Sequence, residues 1–183
     1  KFGEVWGDGV VFAVGEVTGY DEVSNSFVTN VDGINAYRGR EVSSKSLGKL
    51  AWCKAGAKAE KVSAGAGDKN SGRKNMDALE NFIELNDDKL ENYPAFFACR
   101  NLGEGWYFPA YNEVRCVVTN KDMLNAKINE QGGMEISLET YSCSTEVLYN
   151  DQYIDNAGYR YGKGDFNITK INAASEVRAV RAY

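Results

Sequence analysis

The chain has 183 residues, of which 43% are apolar, a formal net charge of −5 and no histidine. This length and apolar fraction predict a globular chain with a well-packed core rather than a disordered one. Because the charge is acidic and no long basic run occurs, we expect no nucleic-acid partner. Without histidine the usual general base and the commonest metal ligand are missing, which argues against most hydrolases.

Short strands are predicted at the start of the chain. The turn Gly7-Asp8-Gly9 lies between Val5-Trp6 and the apolar run 10–14, a strong hairpin signal. Phe27-Val28 and Val42 mark further short strands. The run 10–14 is the longest apolar stretch and is far too short to cross a bilayer, so no transmembrane segment is predicted.

The stretch 54–74 is rich in Ala, Gly, Lys and Ser and lacks a continuous apolar face, which predicts a mobile surface loop. A first helix is then predicted from an N-cap at Asn75 to about Leu85, because apolar residues recur at helical spacing. Pro94 suits the first position of a short second helix, and Gly103 suits the cap at its end.

A third helical pattern follows Pro109, is restarted by a cap at Asn120 and stops at Gly132-Gly133. Short strands and turns are predicted from residue 134 onward, ending in a strand over 176–183. Helices in the middle and strands at both ends predict an α+β fold. We expect one domain over 1–183, with short twisted antiparallel sheets, two or three helices, long loops, and both termini close together in one sheet.

The four cysteines, at 53, 99, 116 and 143, match no zinc-binding spacing. If the chain is exported, a disulfide between Cys53 and Cys99 is one alternative, and buried free thiols are the other. The chain begins at Lys1 without an initiator Met or a signal peptide. We interpret it as a mature or trimmed fragment whose targeting segment has been removed.

The run Gly105-Trp106-Tyr107-Phe108-Pro109-Ala110-Tyr111-Asn112-Glu113 resembles the G-W-Y-L-P-x-x-x-E-L block of a bacterial family. That family, the Lcl C-terminal type, has a C-type-lectin-like fold related to formylglycine-generating-enzyme and retroelement variable-protein domains. Other motifs of the family occur before and after this block in the family's order. They are Leu50-Ala51-Trp52-Cys53, Tyr93-Pro94-Ala95-Phe96, Tyr141-Ser142-Cys143-Ser144-Thr145-Glu146 and the closing run 177–183. The resemblance covers the whole chain, although the family's Trp-Ser-Ser-Thr-Glu lacks its Trp here.

The motif residues are predicted to be structural. The aromatic run before Pro109 would plug the core beneath a helix start, and Glu113 would lie at the positive end of the helix dipole. Arg178 and Arg181 would bond to backbone carbonyls, to Glu113 or to Glu146. The full structural set is Trp106, Pro109, Glu113, Thr145, Glu146, Arg178 and Arg181.

The segment 147–173 is where the resemblance places the ligand-facing surface. Its mixture of Tyr, Asn, Asp and Gly is typical of binding loops, and an ordinary solvated loop is the alternative. The candidate ligand-binding residues are Tyr149, Asn150, Asp151, Tyr153, Asp155, Asn156, Tyr159 and Tyr161. The same stretch also contains Arg160, Asp165, Phe166 and Asn167.

These features favour a non-catalytic, extracytoplasmic binding or adhesion module, at the cell surface or secreted, whose partner is an unknown glycan or protein. A receptor diversified by a retroelement is the alternative with the same fold. An enzyme of the formylglycine-generating class is disfavoured, because Cys143 is the only cysteine beyond Cys116. No cofactor is predicted: the calcium signatures of sugar-binding lectins are missing, and Asn150-Asp151 echoes only half of one. The oligomeric state is left open.

Overall fold

The computed structural model describes residues 1–33, 38–149 and 153–183. Within these ranges the chain forms ten strands, four α-helices and one 3-10 helix. The strands are β1 (Val5–Trp6), β2 (Gly9–Val14), β3 (Glu16–Asp21), β4 (Ser26–Asn30), β5 (Gly39–Ser43), β6 (Trp106–Tyr107), β7 (Tyr141–Tyr149), β8 (Tyr153–Arg160), β9 (Gly164–Ile168) and β10 (Val180–Ala182). The helices are α1 (Gly72–Asn86), the 3-10 turn (Leu90–Asn92), α2 (Pro94–Arg100), α3 (Tyr111–Thr119) and α4 (Lys121–Glu130).

A five-stranded antiparallel sheet joins the two ends of the chain, in the order β1-β2-β5-β10-β6. The Asp-Gly hairpin is confirmed, with Val5 opposite Val10. Strand β10 lies between β5 and β6, and the rings of Trp6 and Tyr183 are 4.6 Å apart. The α+β class and the placement of both termini in one sheet are therefore confirmed.

Two smaller antiparallel sheets complete the strands. Strands β3 and β4 form a hairpin, and β7, β8 and β9 form a three-stranded sheet with β8 in the middle. The register of β7 against β8 shifts between Ser142 and Glu146, so β7 carries a bulge there. Helix α3 packs against β7 and β8, which makes it the support of the three-stranded sheet.

The prediction that Asn75 caps the first helix is wrong. Helix α1 begins at Gly72 with Ser71 as its N-cap, whose hydroxyl accepts a hydrogen bond from the Lys74 N–H. Asn75 is instead buried inside the helix, where its amide donates to Ser144 Oγ at 2.9 Å and to the Asp68 carbonyl at 2.8 Å. A tertiary role thus replaces the local cap that the sequence suggested.

The other helix predictions are close to the structure. Helix α2 begins at Pro94, as expected, and ends at a cap on Asn101 before Gly103. Asn120 divides the third helical pattern into α3 and α4, which raises the number of α-helices to four among the described residues. Gly132 has φ +66°, a left-handed conformation that suits the predicted stop.

Residues 54–70 contain neither helix nor strand, yet this segment is more than a surface loop. Four of its alanines are buried in the core, while most of its polar side chains face solvent. The predicted loop 54–74 also overlaps the start of α1 at Gly72. The sequence pattern concealed the burial because the apolar side chains are small and irregularly spaced: Ala57, Ala59, Ala64 and Ala66.

Candidate functional site

Glu113 is the centre of the Gly105–Glu113 block. Its fully buried carboxylate accepts hydrogen bonds from the Ala110 N–H at 2.7 Å, the Gly72 N–H at 2.9 Å and the Tyr107 hydroxyl at 2.8 Å. Arg40 Nη1 forms an ion pair with it at 2.9 Å. Burial raises the pKa of Glu113, while Arg40 and these donors act in the opposite direction. The carboxylate therefore joins the starts of α1 and α3 to β5.

Trp106 and Pro109 have structural positions in the same block. Trp106 is buried and lies beneath the Arg181 guanidinium, 4.7 Å from its ring centroid. The Pro109 carbonyl accepts hydrogen bonds from both the backbone N–H and the hydroxyl of Ser144. These contacts attach the block to the end of the chain and to β7.

The two closing arginines have different partners. Arg178 is buried and donates to the backbone carbonyls of Ser43, Met134 and Glu135, which is one of the predicted alternatives. Arg181 pairs with Glu41 at 2.6 Å. Neither arginine is paired with Glu113 or Glu146, so that alternative is wrong: Arg40 and Lys170 are already placed beside those carboxylates.

Glu146 anchors the segment 54–70 to the core. Its carboxylate accepts hydrogen bonds from the Ala64 and Ala66 N–H groups, each at 3.0 Å, and lies 2.5 Å from Lys170 Nζ. Lys170 is buried over the ring of Trp52 and also donates to the Ala59 and Val62 carbonyls. Thr145, which precedes Glu146 in β7, donates a hydrogen bond to the Asp68 carbonyl and accepts one from the Tyr111 N–H.

The Cys53–Cys99 disulfide is absent from the structure. All four cysteines are free and buried, which matches the other alternative. Burial raises the pKa of the Cys53, Cys116 and Cys143 thiols to about 12. For Cys99, burial raises the pKa well above its usual range. The thiols therefore act as small core side chains.

The predicted ligand-binding residues divide into several groups. Asn150 and Asp151 lie outside the described residues, and Tyr149 pairs with Tyr153 at the end of β7 and β8. Asn156 is fully buried and donates to Ser142 Oγ at 2.7 Å, so its assignment to a ligand surface is wrong. Its position opposite the β7 bulge turns it into the core.

The remaining candidates are only partly available to a ligand. Tyr159 is half-buried and packs edge-on against Tyr111, with ring centroids 6.4 Å apart. Asp155 is half-buried opposite Val147. Tyr161 is 42% exposed, and its ring lies 5.0 Å from Lys121 Nζ. These residues do not form one continuous exposed surface.

A groove of about 320 Å³ crosses the three-stranded sheet. It lies where the middle strand carries the small residue Ala157, between the Thr145 to Leu148 part of β7 and the Asp165 to Asn167 part of β9. Leu148 and Phe166 are 62% and 38% exposed. The lining residues are Lys69, Tyr111, Thr145, Glu146, Val147, Leu148, Ala157, Asp165, Phe166 and Asn167.

Tyr111 fixes the back of this groove. It is the first residue of α3, and its hydroxyl donates a hydrogen bond to Asp165 Oδ1 on β9. Burial, and then Asp165, raise the pKa of Tyr111, so the phenol keeps its proton. Arg115, one turn further along α3, lies between the rings of Tyr20 and Tyr159 and pairs with Glu22. Helix α3 therefore holds the sheet that carries the groove.

The groove and the predicted stretch 147–173 overlap in part. Asp165, Phe166 and Asn167 fall inside the predicted stretch 147–173, whereas Lys69 and Tyr111 come from distant parts of the chain. The alternation of β9 could have selected Asp165 and Asn167 as neighbours on one face. Only the fold brings Lys69 beside them.

The part of the chain that the structure describes offers neither a metal site nor a membrane-spanning helix. No group of three or more Cys, Asp or Glu side chains that could hold a metal ion occurs among the described residues. No helix within these ranges has the length and apolar character needed to span a bilayer.

No protein-family profile matches this sequence, and no curated protein matches it. Among solved structures, a fimbrial protein from Bacteroides ovatus has a similar fold, with a TM-score of 0.60 and 18% sequence identity. The match covers 96% of this chain and 44% of that protein, so the chain spans less than half of the length of its structural neighbour.

Proposed function

We propose that this chain is a non-catalytic binding module of a fimbrial or adhesin-type protein, with a C-type-lectin-like fold and a location at the cell surface. The observation that carries the proposal is the likeness in fold to the fimbrial protein from Bacteroides ovatus, which extends over 96% of the chain. At 18% identity that likeness concerns the fold, and the step from fold to function is our inference.

The C-type-lectin-like part of the proposal is supported by the order of the elements. Helices α1 to α4 lie between strands from both ends of the chain, and β1 and β10 share one sheet. The Gly105–Glu113 block joins β6 to α3 through the Glu113 carboxylate. The resemblance implies that the ligand-facing surface lies in the stretch 147–173, which contains β8 and β9.

The groove on β7, β8 and β9 is the surface that we assign to binding. It combines apolar side chains with polar groups from four separate parts of the chain, which is the usual composition of a ligand site. The sheet behind it is held by Tyr111 and Arg115, so the groove is formed before any ligand arrives. Preorganisation of this kind lowers the entropic cost of binding.

The chemistry of the cysteines supports a non-catalytic role. Enzymes of the formylglycine-generating class act through reactive cysteines, and thiol reactivity requires the thiolate. With the pKa of Cys143 raised to about 12 by burial, the thiolate is scarce at neutral pH. Cys143 also donates its S–H to the Ala157 carbonyl in the core.

Surface labelling of the native cell tests this proposal. Antibodies raised against the purified chain are expected to label intact cells that express the full-length protein, and external protease should remove the signal. Labelling that requires permeabilised cells would contradict the proposal. A cytoplasmic protein detected in the same cells serves as the control for membrane integrity.

A further inference from the structure

We infer that the groove on β7, β8 and β9 binds a neutral saccharide unit through direct contacts with protein side chains. The inference rests on the proposed function in one respect, because it assigns a ligand class to the same groove. The size, the polar groups and the apolar groups of the groove support it.

The size of the groove limits the ligand. Its volume of about 320 Å³ is at the lower end of the range of ligand pockets, roughly 300–1,000 Å³. A groove of this size accepts one small cyclic unit or the end of a chain. It opens along the exposed strand β9, so further units of a polymer could continue into solvent.

Three polar side chains of the groove are available to a ligand. Lys69 and Asn167 are exposed, and within the described residues their side chains form no hydrogen bond or ion pair. Asp165 is exposed as well, and one of its carboxylate oxygens accepts the Tyr111 hydroxyl while the other remains open. Together these side chains offer an ammonium, an amide and a carboxylate, that is, both donors and acceptors.

The charges of these groups favour a neutral ligand. The ammonium of Lys69 and the carboxylate of Asp165 have opposite signs, and Glu146 is already paired with Lys170. The groove therefore provides no excess charge to attract a sulfated, phosphorylated or cationic ligand. Hydroxyl groups both donate and accept, so a polyhydroxy ligand matches this set.

The apolar groups explain why the ligand should carry carbon–hydrogen surface as well. Val147 and Ala157, which lie on the same face of the sheet as Asp165 and Asn167, form the apolar part of the groove. A purely apolar side chain of a protein partner would cover Lys69, Asp165 and Asn167 without bonding to them, and burying polar groups without partners is unfavourable. A sugar ring presents C–H and O–H groups side by side, so it can contact the apolar residues and form hydrogen bonds with the polar ones.

Nuclear magnetic resonance titration of the purified ¹⁵N-labelled chain tests this inference. The probes are the methyl glycosides of glucose, galactose, mannose, fucose and N-acetylglucosamine, each added in buffer that contains EDTA. We expect at least one probe to give saturable shifts of the backbone amides of Lys69, Ala157 and Asn167. Asn167→Ala, on an exposed edge strand, should weaken that binding at least about tenfold, the equivalent of 1.4 kcal/mol.

Matched variants and a competing probe make the result decisive. Leu85→Ala removes an exposed side chain of α1 outside the groove and should leave the binding unchanged. N-acetyl-leucine amide represents the apolar side chain of a protein partner. The inference is overturned if no glycoside shifts these amides, if the shifts survive Asn167→Ala, or if only the leucine amide binds. The surface-labelling result is independent of all three outcomes, so failure here leaves the proposed location standing.

Discussion

At the scale of single residues, two buried carboxylates hold together segments that are far apart in the sequence. Glu113 and Glu146 each accept several donors that come from distant segments, including Gly72 for Glu113 and Lys170 for Glu146. The position of Glu113 in the first turn of a helix was predictable from sequence, because Pro109 and the following periodicity mark the helix start. Its partner Arg40 was not, since nothing local relates two residues so far apart in the chain.

We predict that Glu113→Gln lowers the free energy of unfolding by about 3–5 kcal/mol, since it leaves Arg40 unpaired in the core. The glutamine amide would also direct N–H groups at donors that now meet an oxygen. Urea denaturation of both proteins measures the difference. Glu80→Gln breaks the exposed pair with Arg100 and should cost less than about 1 kcal/mol. Equal losses in the two variants would contradict the role given to Glu113.

Asp88 gives a pH-dependent prediction. Burial raises its pKa, but hydrogen bonds from Tyr93, Asn92 and the backbone outweigh burial and hold the pKa below its ordinary value. A pKa lowered by folding contributes stability above the unfolded value of about 3.9, and this contribution is lost as the pH falls through the folded value. We therefore expect Asp88→Asn to destabilise the protein at pH 7 and to approach the wild type below pH 3.

The measurement for Asp88 is urea denaturation at about pH 7, 5 and 2.5, which covers the range over which the carboxyl group titrates. Asp87→Asn is the matched control, because Asp87 has φ 49° and asparagine tolerates this left-handed conformation. The control should show neither the loss at neutral pH nor its disappearance in acid. A loss in Asp88→Asn that is constant with pH would show that the carboxylate charge is unimportant there.

At the scale of elements, local signals succeeded where an element is specified by its own residues. The Asp-Gly turn, Pro94 at the start of α2 and Gly132 after α4 all act within a few residues, and all three were predicted correctly. Helix α1 differs because tertiary packing sets its start: Gly72 lies against the Phe108–Ala110 backbone. Segment 54–70 differs because long-range bonds to Glu146 and Lys170 hold it.

Gly72→Ala tests the packing of α1. Alanine is the better helix former by about 1 kcal/mol, yet its Cβ would lie 2.8 Å from the Ala110 nitrogen and closer still to the Phe108 carbonyl oxygen. We expect a net loss of about 2 kcal/mol, because backbone atoms would have to move. Gly67→Ala has nothing within 4 Å of its new Cβ and should be neutral or slightly stabilising. Thermal unfolding of both variants gives the comparison.

Lys170→Met tests the anchoring of segment 54–70. The substitution keeps an apolar stem over Trp52 but removes the ammonium that bonds to Glu146 and to two carbonyls of the segment. We expect trypsin to cleave after Lys61 at least about tenfold faster than in the wild type, because local opening becomes more frequent. Mass spectrometry follows the rate of this cleavage.

Two references make the proteolysis result specific. Lys163→Met removes an exposed lysine and should leave cleavage after Lys61 unchanged. Cleavage after Lys127 in α4 reports global opening in the same sample. If Lys61 is cut as slowly in Lys170→Met as in the wild type, the anchor is unimportant, and if Lys61 is already cut rapidly in the wild type, the segment is mobile as the sequence alone suggested.

At the scale of the whole molecule, the fold class followed from the order of helical and strand patterns along the chain. The candidate site did not, because it joins the end of segment 54–70, the start of α3 and all three strands of the β7-β8-β9 sheet. The density of Tyr and Asn pointed to a stretch that overlaps the groove, but it also favoured Asn156, which the bulge in β7 places in the core. Assembly of the groove depends on the complete fold.

The central claim is that this groove is the ligand-binding surface of an adhesion module, and binding to arrays of immobilised glycans and immobilised proteins tests it most directly. The wild-type chain and the Leu85→Ala variant, which is altered on α1 outside the groove, should bind the same ligands equally. The Asn167→Ala variant, altered only inside the groove, should lose at least about nine-tenths of that signal, a tenfold change. No ligand on either array, or equal binding by all three proteins, would contradict the claim.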